Sequence, residues 1–274
     1  MTVNKRKTLA DSADIHKLYE ASVQCSESEI DFVDETFTEL RKRPAILLRE
    51  DFCGTMNTSC EWIKRRSENH AIGVDLEPSV LQWGREHHLA ELSAEQHKRM
   101  TVLNENVLSV NSGPVDIVLA MNFSYWIFKT RELMQQYFRS VYESLNDDGI
   151  MFLDAFGGYE AFQVMDERTK HGKFTYIWDQ ADYNPISGDY LCHIHFKFRD
   201  GSKIENAFTY DWRLWTLPEI TEVLTAAGFQ VTVYWDQEED EDEDEDDYQP
   251  ATKGDPDAGW LAYIVALKPT SEAP

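Results

Sequence analysis

Positive charge is what this sequence has least of. Against 50 Asp and Glu it sets only 26 Lys and Arg, a formal net charge of −24 over 274 residues. Nucleic-acid binders draw much of their affinity from basic side chains on phosphates, so this balance excludes nucleic acid as a partner. Long apolar runs are missing as well. No stretch of 18 apolar residues occurs, which excludes a membrane-spanning helix. The opening residues, MTVNKRKTLADSAD, are basic but lack the apolar segment of a secretory signal. Cysteine is sparse: Cys25, Cys53, Cys60 and Cys192 form no C-x-x-C pair and no zinc-like spacing. They read as free thiols of a cytoplasmic protein, with no structural metal expected.

What is present is enough apolar and aromatic residue, 42% and 12%, to bury a full core as one large domain or one domain with an inserted module. The stretch from Ala45 to Leu76, AILLREDFCGTMNTSCEWIKRRSENHAIGVDL, organises the rest. An apolar run passes through acids into a Cys53-Gly54-Thr55 turn. A helix follows, with Thr58-x-x-Glu61 placed as a capping box. A second apolar strand then ends on Asp75. Strand, turn, helix and strand with an acid at the second tip is the layout of a nucleoside-binding βαβ unit, in which Asp75 accepts the ribose hydroxyls.

The turn offers only Gly54, not G-x-G-x-x-G, and no Lys follows it, so the cradle that closes on a pyrophosphate is absent. A nucleoside cofactor without phosphates fits, and S-adenosyl-L-methionine is one. These residues resemble the first motif of the class I SAM-dependent methyltransferases. On that resemblance Glu50 takes the motif's acid, and Phe52, Cys53, Gly54, Thr55 and Met56 take its turn, with Phe52 and Met56 where the family has glycine. The resemblance implies a cofactor site of Glu50, Cys53, Gly54, Asp75, Leu76, Asn106, Val107 and Asn122. Asn106 and Val107 would lie at the adenine, where an Asn amide offers a donor and an acceptor. Asn122-Phe123-Ser124-Tyr125 falls where amino-methylating members carry N-P-P-Y. Asn122 and Tyr125 are therefore expected beside the transferred methyl, although both prolines are missing.

Along the chain, a helical segment over residues 1–44 carries Ile15, Leu18, Tyr19, Ile30, Val33, Phe37 and Leu40 at helical spacing and is expected to cap the cofactor site. Past Asp75 the pattern predicts a helix over 79–88 and strands at Thr101–Leu108 and Val115–Phe123. A helix over Thr130–Asn146, a turn at Asn146–Gly149 and a strand at Ile150–Ala155 follow. Residues 173–215 show three runs of period-two alternation, an antiparallel meander within an inserted substrate module at about 157–215. Phe174, Tyr176 and Trp178 share one face of it, as do Phe208, Tyr210 and Trp212, either to wall a pocket or to bury the sheet. Thr216 to Gly228 is a capped helix, and Gln230–Trp235 and Trp260–Leu267 are the last strands. Between them, the ten consecutive acids Glu238–Asp247 lie in a loop expected to be disordered over about 237–258. The fold class expected is α/β. It is a class I methyltransferase-like, seven-stranded, mostly parallel sheet with helices on both faces and an inserted antiparallel meander.

His193 and His195 share a strand face and are candidate general bases; with no third ligand in view they do not announce a metal site. The function expected is methyl transfer to a small-molecule acceptor at nitrogen or oxygen. Two other readings stay open: a SAM-dependent enzyme of different chemistry, and a non-catalytic nucleoside-binding or adaptor module whose acidic loop meets a basic partner. The sequence leaves the oligomeric state open.

Overall fold

The computed structural model describes residues 7–236 and 247–269. In chain order the first elements are α1 (Ile15–Val23), α2 (Ser26–Arg41), β1 (Leu47–Asp51), α3 (Asn57–Arg65), β2 (His70–Val74), α4 (Pro78–His87) and α5 (Ala94–His97). There follow β3 (Met100–Leu103), β4 (Val115–Ala120), α6 (Arg131–Ser144), β5 (Leu145–Gly157), β6 (Met165–His171), β7 (Phe174–Tyr183), β8 (Asp189–Phe198) and β9 (Lys203–Arg213). The chain closes with α7 (Leu217–Ala227), β10 (Gln230–Asp236), β11 (Tyr248–Ala251) and β12 (Trp260–Leu267). Two compact units result: Ser26–Gly158 with Trp215–Pro274, and Met1–Cys25 with Tyr159–Leu214.

The larger unit is built on one sheet in the order β11-β10-β12-β5-β4-β1-β2-β3. β1, β2, β3, β4 and β5 run parallel, and β12 runs antiparallel between β5 and β10. All six residues of β4 are buried, as a strand covered on both faces requires. The strand order reverses at β1, which pairs with β2 on one side and β4 on the other. A crevice opens at the carboxyl ends of the strands at such a switch point.

This is the α/β arrangement the sequence leads one to expect, with corrections. The sheet has eight strands, not seven, because β11 pairs with β10 along the outer edge. It lies inside the stretch expected to be disordered. Glu238 to Asp246 of the acidic run lie outside the described residues, and Asp247 is exposed. The anticipated Asn146–Gly149 turn is a bulge within β5, whose register against β4 shifts between Val115 and Ile117. α3 has no side-chain cap: Met56 precedes it in left-handed conformation, the Thr58 hydroxyl sits 3.1 Å from that of Ser26, and Glu61 pairs with Arg65. α7 keeps the expected capping box between Thr216 and Glu219, and Gly228 ends it at φ +112°.

The smaller unit is a four-stranded antiparallel sheet, β6-β7-β8-β9, where three strands were expected. The extra strand, β6, reads MDERTKH and has no apolar alternation. It is an edge strand kept soluble by its charges. The two faces differ sharply. Phe174, Tyr176, Trp178, Ile194, Phe196, Phe208 and Tyr210 form one cluster, closed by Leu18, Tyr19 and Val23 of α1. Tyr19 lies 4.9 Å from Phe208, ring to ring. The aromatic rows therefore bury α1 against the sheet. The N-terminal segment, expected as one piece, divides at Cys25: α1 belongs to this unit and α2 to the larger one.

Candidate functional site

The crevice is shaped first by the turn after β1. Strand alternation sends Arg49 and Asp51 to one face of β1, where they form a fully buried ion pair at 2.9 Å that also takes the Tyr137 hydroxyl. Glu50 goes to the other. Its Oε2 accepts from the Ser59 backbone N–H at 2.9 Å and from the Ser59 hydroxyl. Burial pushes the Glu50 carboxyl up to about 8, with the charges of Glu29 and Asp75 adding to the rise and the Ser59 bonds opposing it.

The turn itself is strongly bent. Phe52, Gly54 and Met56 have φ values of +59°, +51° and +65°. The two positions where the resembled family has glycine thus hold the backbone conformation that glycine favours, adopted here by L side chains at a cost of about 1–2 kcal/mol each. α4 closes on this turn from outside. A Cβ on Gly84 would come within 2.3 Å of the Thr55 carbonyl oxygen, so only glycine admits that approach.

Asp75 joins the turn to β2. Its Oδ2 accepts from the Gly54 N–H and its Oδ1 from the Glu77 N–H, each at 2.8 Å. The Asn104 amide donates to the Asp75 carbonyl at 2.9 Å. An ionised carboxylate has about four acceptor positions. Two remain for hydroxyl donors. Leu76 beside it is 60% exposed, an apolar surface next to the acid. Asn106 is exposed and accepts from the Leu108 N–H, while Val107 is buried.

At the end of β4, Asn122 and Phe123 both have φ +57°, and their N–H groups donate to Asp154 of β5 at 2.7 and 2.9 Å. Tyr125 departs from expectation. It is fully buried, and its hydroxyl donates to the Asp154 carbonyl at 2.7 Å, so the ring belongs to the core rather than to an acceptor pocket. The structure therefore gathers Glu50, Cys53, Gly54, Asp75, Leu76, Asn106, Val107 and Asn122 at the carboxyl ends of β1 to β4 and directs Tyr125 inward.

His193 and His195 lie on the polar face of the smaller sheet, in the other unit. Asn206 donates its backbone N–H to Nδ1 of His195 at 2.8 Å, which leaves Nε2 to carry the proton toward Asp179, 3.1 Å away. Both ring nitrogens are thereby engaged. His193 Nδ1 lies 2.9 Å from the Thr209 hydroxyl. A concavity of about 370 Å³ on this face is lined by Asp166, Arg168, Asp179, His195, Lys203 and Glu205. Among the described residues no group of three or more His, Cys, Asp or Glu is placed to hold a metal.

Two site residues escape a reading of motifs: Glu29, a buried acid on α2, and Asp154. Each left a trace, since Asp154 interrupts the apolar run IMFLDAF and Glu29 shares a helix face with Val33. Glu29 and Asp75 set negative charge around Glu50, and burial above all, with Glu50, Asp75 and Asp51 adding to it, pushes the Cys53 thiol well above its ordinary range. Such a field repels phosphates and suits a cation. A phosphate-free nucleoside bearing a sulfonium and an ammonium group fits this donor set.

No protein-family model matches the sequence, and no curated protein is similar to it. Solved structures are similar in fold. A S-adenosylmethionine-dependent methyltransferase from Clostridium acetobutylicum superposes with a TM-score of 0.68 at 15% identity, over 93% of this chain and 97% of its own. A SAM-bound amino pentose methyltransferase of calicheamicin biosynthesis, from Micromonospora echinaspora, gives 0.66 at 14% identity, over 93% and 97%. A sugar N-methyltransferase from Streptoalloteichus gives 0.63 at 15%, over 98% and 99%. The chain has the class I SAM-dependent methyltransferase fold, with a mostly parallel sheet and a separate four-stranded antiparallel sheet. Among the described residues no helix is long and apolar enough to cross a membrane.

Proposed function

We propose that this protein is a S-adenosyl-L-methionine-dependent methyltransferase acting on a small-molecule acceptor, at nitrogen. The observation that carries the reading is the crevice at the switch point: Asp75 with two free acceptor positions, beside buried Glu50 and a turn without a phosphate cradle. The small-molecule acceptor and the choice of nitrogen draw support from the amino pentose and sugar N-methyltransferases of similar fold.

Bound S-adenosylmethionine would supply the methyl group as an electrophilic sulfonium. Asp75 would take the ribose hydroxyls, Leu76 and Val107 the faces of the adenine, and Asn106 its edge. Gly54 and Cys53 would line the passage past the turn, and Glu50, protonated in the free protein, would ionise against the cationic end. Displacement at a sulfonium needs no acid for the leaving group. The residues around the acceptor must hold its nucleophile about 3 Å from the methyl and unprotonated. Asn122, at the tip of β4, is the residue assigned to orient it.

The test is thermal unfolding with S-adenosylhomocysteine. A ligand at 100 times its Kd adds about 2.7 kcal/mol. NADH serves as the phosphate-bearing control and should leave the transition where it was. Mass detection of methylated amino sugars then addresses the acceptor. No shift with S-adenosylhomocysteine at millimolar concentration would refute the cofactor assignment.

A further inference from the structure

We propose that Asp154 is the positioning residue of this site: by holding the backbone N–H groups of Asn122 and Phe123 together, its carboxylate fixes how Asn122 is presented to the crevice. The inference rests on the reading of Asn122 given above. Asp154 is 6% exposed, and its carboxylate meets the site at the two backbone N–H groups it grips. Two consecutive L residues in left-handed conformation form a strained corner, and such corners persist only where their surroundings over-determine them. Here the determinant is visible. One oxygen of Asp154 accepts from Asn122 at 2.7 Å and the other from Phe123 at 2.9 Å. The Tyr125 hydroxyl, donating to the carbonyl of the same residue, holds Asp154 in place from below. A neutral side chain could not serve both N–H groups equally, because a carboxylate alone offers two acceptor oxygens of equal strength.

The grip has a pH dependence that can be worked out. Burial pushes Asp154 up to about 7, aided by the charge of Glu29 from α2 and opposed by the two N–H bonds. Tyr125 is the other titratable group against it, and burial holds that phenol neutral. Below about 7 the acid is protonated, one oxygen carries a hydrogen, and one N–H bond weakens. Above it both bonds are at full strength. Presentation of Asn122 should therefore tighten as pH rises through 7.

The experiment uses the full chain and Asp154→Asn, whose amide has one accepting oxygen and so imitates the protonated acid. Amide resonances of Asn122 and Phe123 are followed from pH 6 to pH 8, and S-adenosylhomocysteine affinity is measured by calorimetry at both ends. In the parent the two amides should move together. In the variant they should stay near the parent's pH 6 positions, with S-adenosylhomocysteine bound about tenfold more weakly than by the parent at pH 8, the worth of one charge-assisted hydrogen bond. That difference should shrink toward pH 6, whereas a residue of merely structural importance would weaken binding equally at both. Flat amide shifts in the parent, or a variant that binds like the parent at pH 8, would overturn the proposal. Should the variant fail to fold, the titration of the parent decides alone. If the parent binds no S-adenosylhomocysteine, the cofactor reading falls, and the amide titration still judges the role of Asp154.

Discussion

The backbone N–H of Gly54 donates to the Asp75 carboxylate at 2.8 Å, tying the turn after β1 to the tip of β2. One side chain thus shapes the cofactor turn and, on the proposed reading, receives the ribose. Asp75→Ala should remove both contributions. Each charge-assisted bond is worth about 1.5–3 kcal/mol, so S-adenosylhomocysteine affinity should fall at least tenfold while far-UV circular dichroism stays native. Unchanged affinity in calorimetry would remove Asp75 from the site.

Phe52 and Met56 pose a contest between backbone and packing. Glycine at either position relieves left-handed strain of about 1–2 kcal/mol. Met56 is completely buried in the main core, and losing its side chain should cost about 2–5 kcal/mol. Met56→Gly should therefore destabilise in urea unfolding. Phe52 is only half-buried, touching Phe128 and Tyr137 at ring distances of 6.0 and 5.8 Å. Phe52→Gly should lie much closer to neutral. A stabilised Met56→Gly would show that the strain term is larger than assumed.

How much of this was legible follows from what each residue must do. The crevice elements were readable because β1, β2 and β4 are apolar runs ending on Glu50-Asp51, Asp75 and Asn122, and an abrupt change of polarity at a strand tip is a local signal. α7 was readable from Thr216, Pro218 and Gly228, each of which acts within its own turn. β6 was not, since MDERTKH becomes a strand only by pairing with β7, a tertiary effect that overrides its polarity. β11 was hidden in the same way behind the acidic run. Tyr125 misled because a motif places a residue along the chain, whereas the left-handed pair Asn122–Phe123 decides which way the next side chains turn.

Glu50 offers a test through stability. Its folded value, about 8, lies above the ordinary 4.5, so the native state holds a proton that the unfolded chain releases. Stability should then fall as pH rises from about 5 to 8, with a slope of at most about 1.4 kcal/mol per pH unit for this group. Asp154 adds a similar slope below about 7. Glu50→Gln, which keeps an acceptor for Ser59, should flatten the profile. A cationic ligand beside Glu50 should also bind more tightly at pH 8.5 than at 6.5, releasing protons. An unchanged slope in the variant would place the titration elsewhere.

Gly84 lets α4 lie directly on the Thr55 carbonyl. Gly84→Ala brings a methyl within 2.3 Å of that oxygen and 2.7 Å of the Met56 side-chain end. The Met can yield; the carbonyl cannot without moving the turn. The better helix propensity of alanine, about 1 kcal/mol, works in the opposite direction and is outweighed. A lower melting temperature together with weaker S-adenosylhomocysteine binding is expected. A rise in melting temperature would mean that α4 moves freely away from the turn.

His195 can be separated from a general base by what its loss disturbs. In the structure its Nδ1 accepts from the Asn206 N–H and its Nε2 faces Asp179, so neither nitrogen stands ready to take an acceptor's proton. Removing the ring leaves the Asn206 N–H, on an exposed residue, to bond with water, so little stability is lost. Asp179, about a third exposed, is solvated instead and adds little. His195→Ala should therefore change the melting temperature little and leave S-adenosylhomocysteine affinity and single-turnover methyl transfer within about threefold of the parent. His193→Ala, losing only a partly exposed contact with Thr209, should change neither. A positioned base behaves in the opposite way: its loss typically costs 10² to 10⁴ in rate with stability held. A rate loss of that size in His195→Ala, at an unchanged melting temperature, would make His195 a catalytic base and would require its bond from Asn206 to break during turnover.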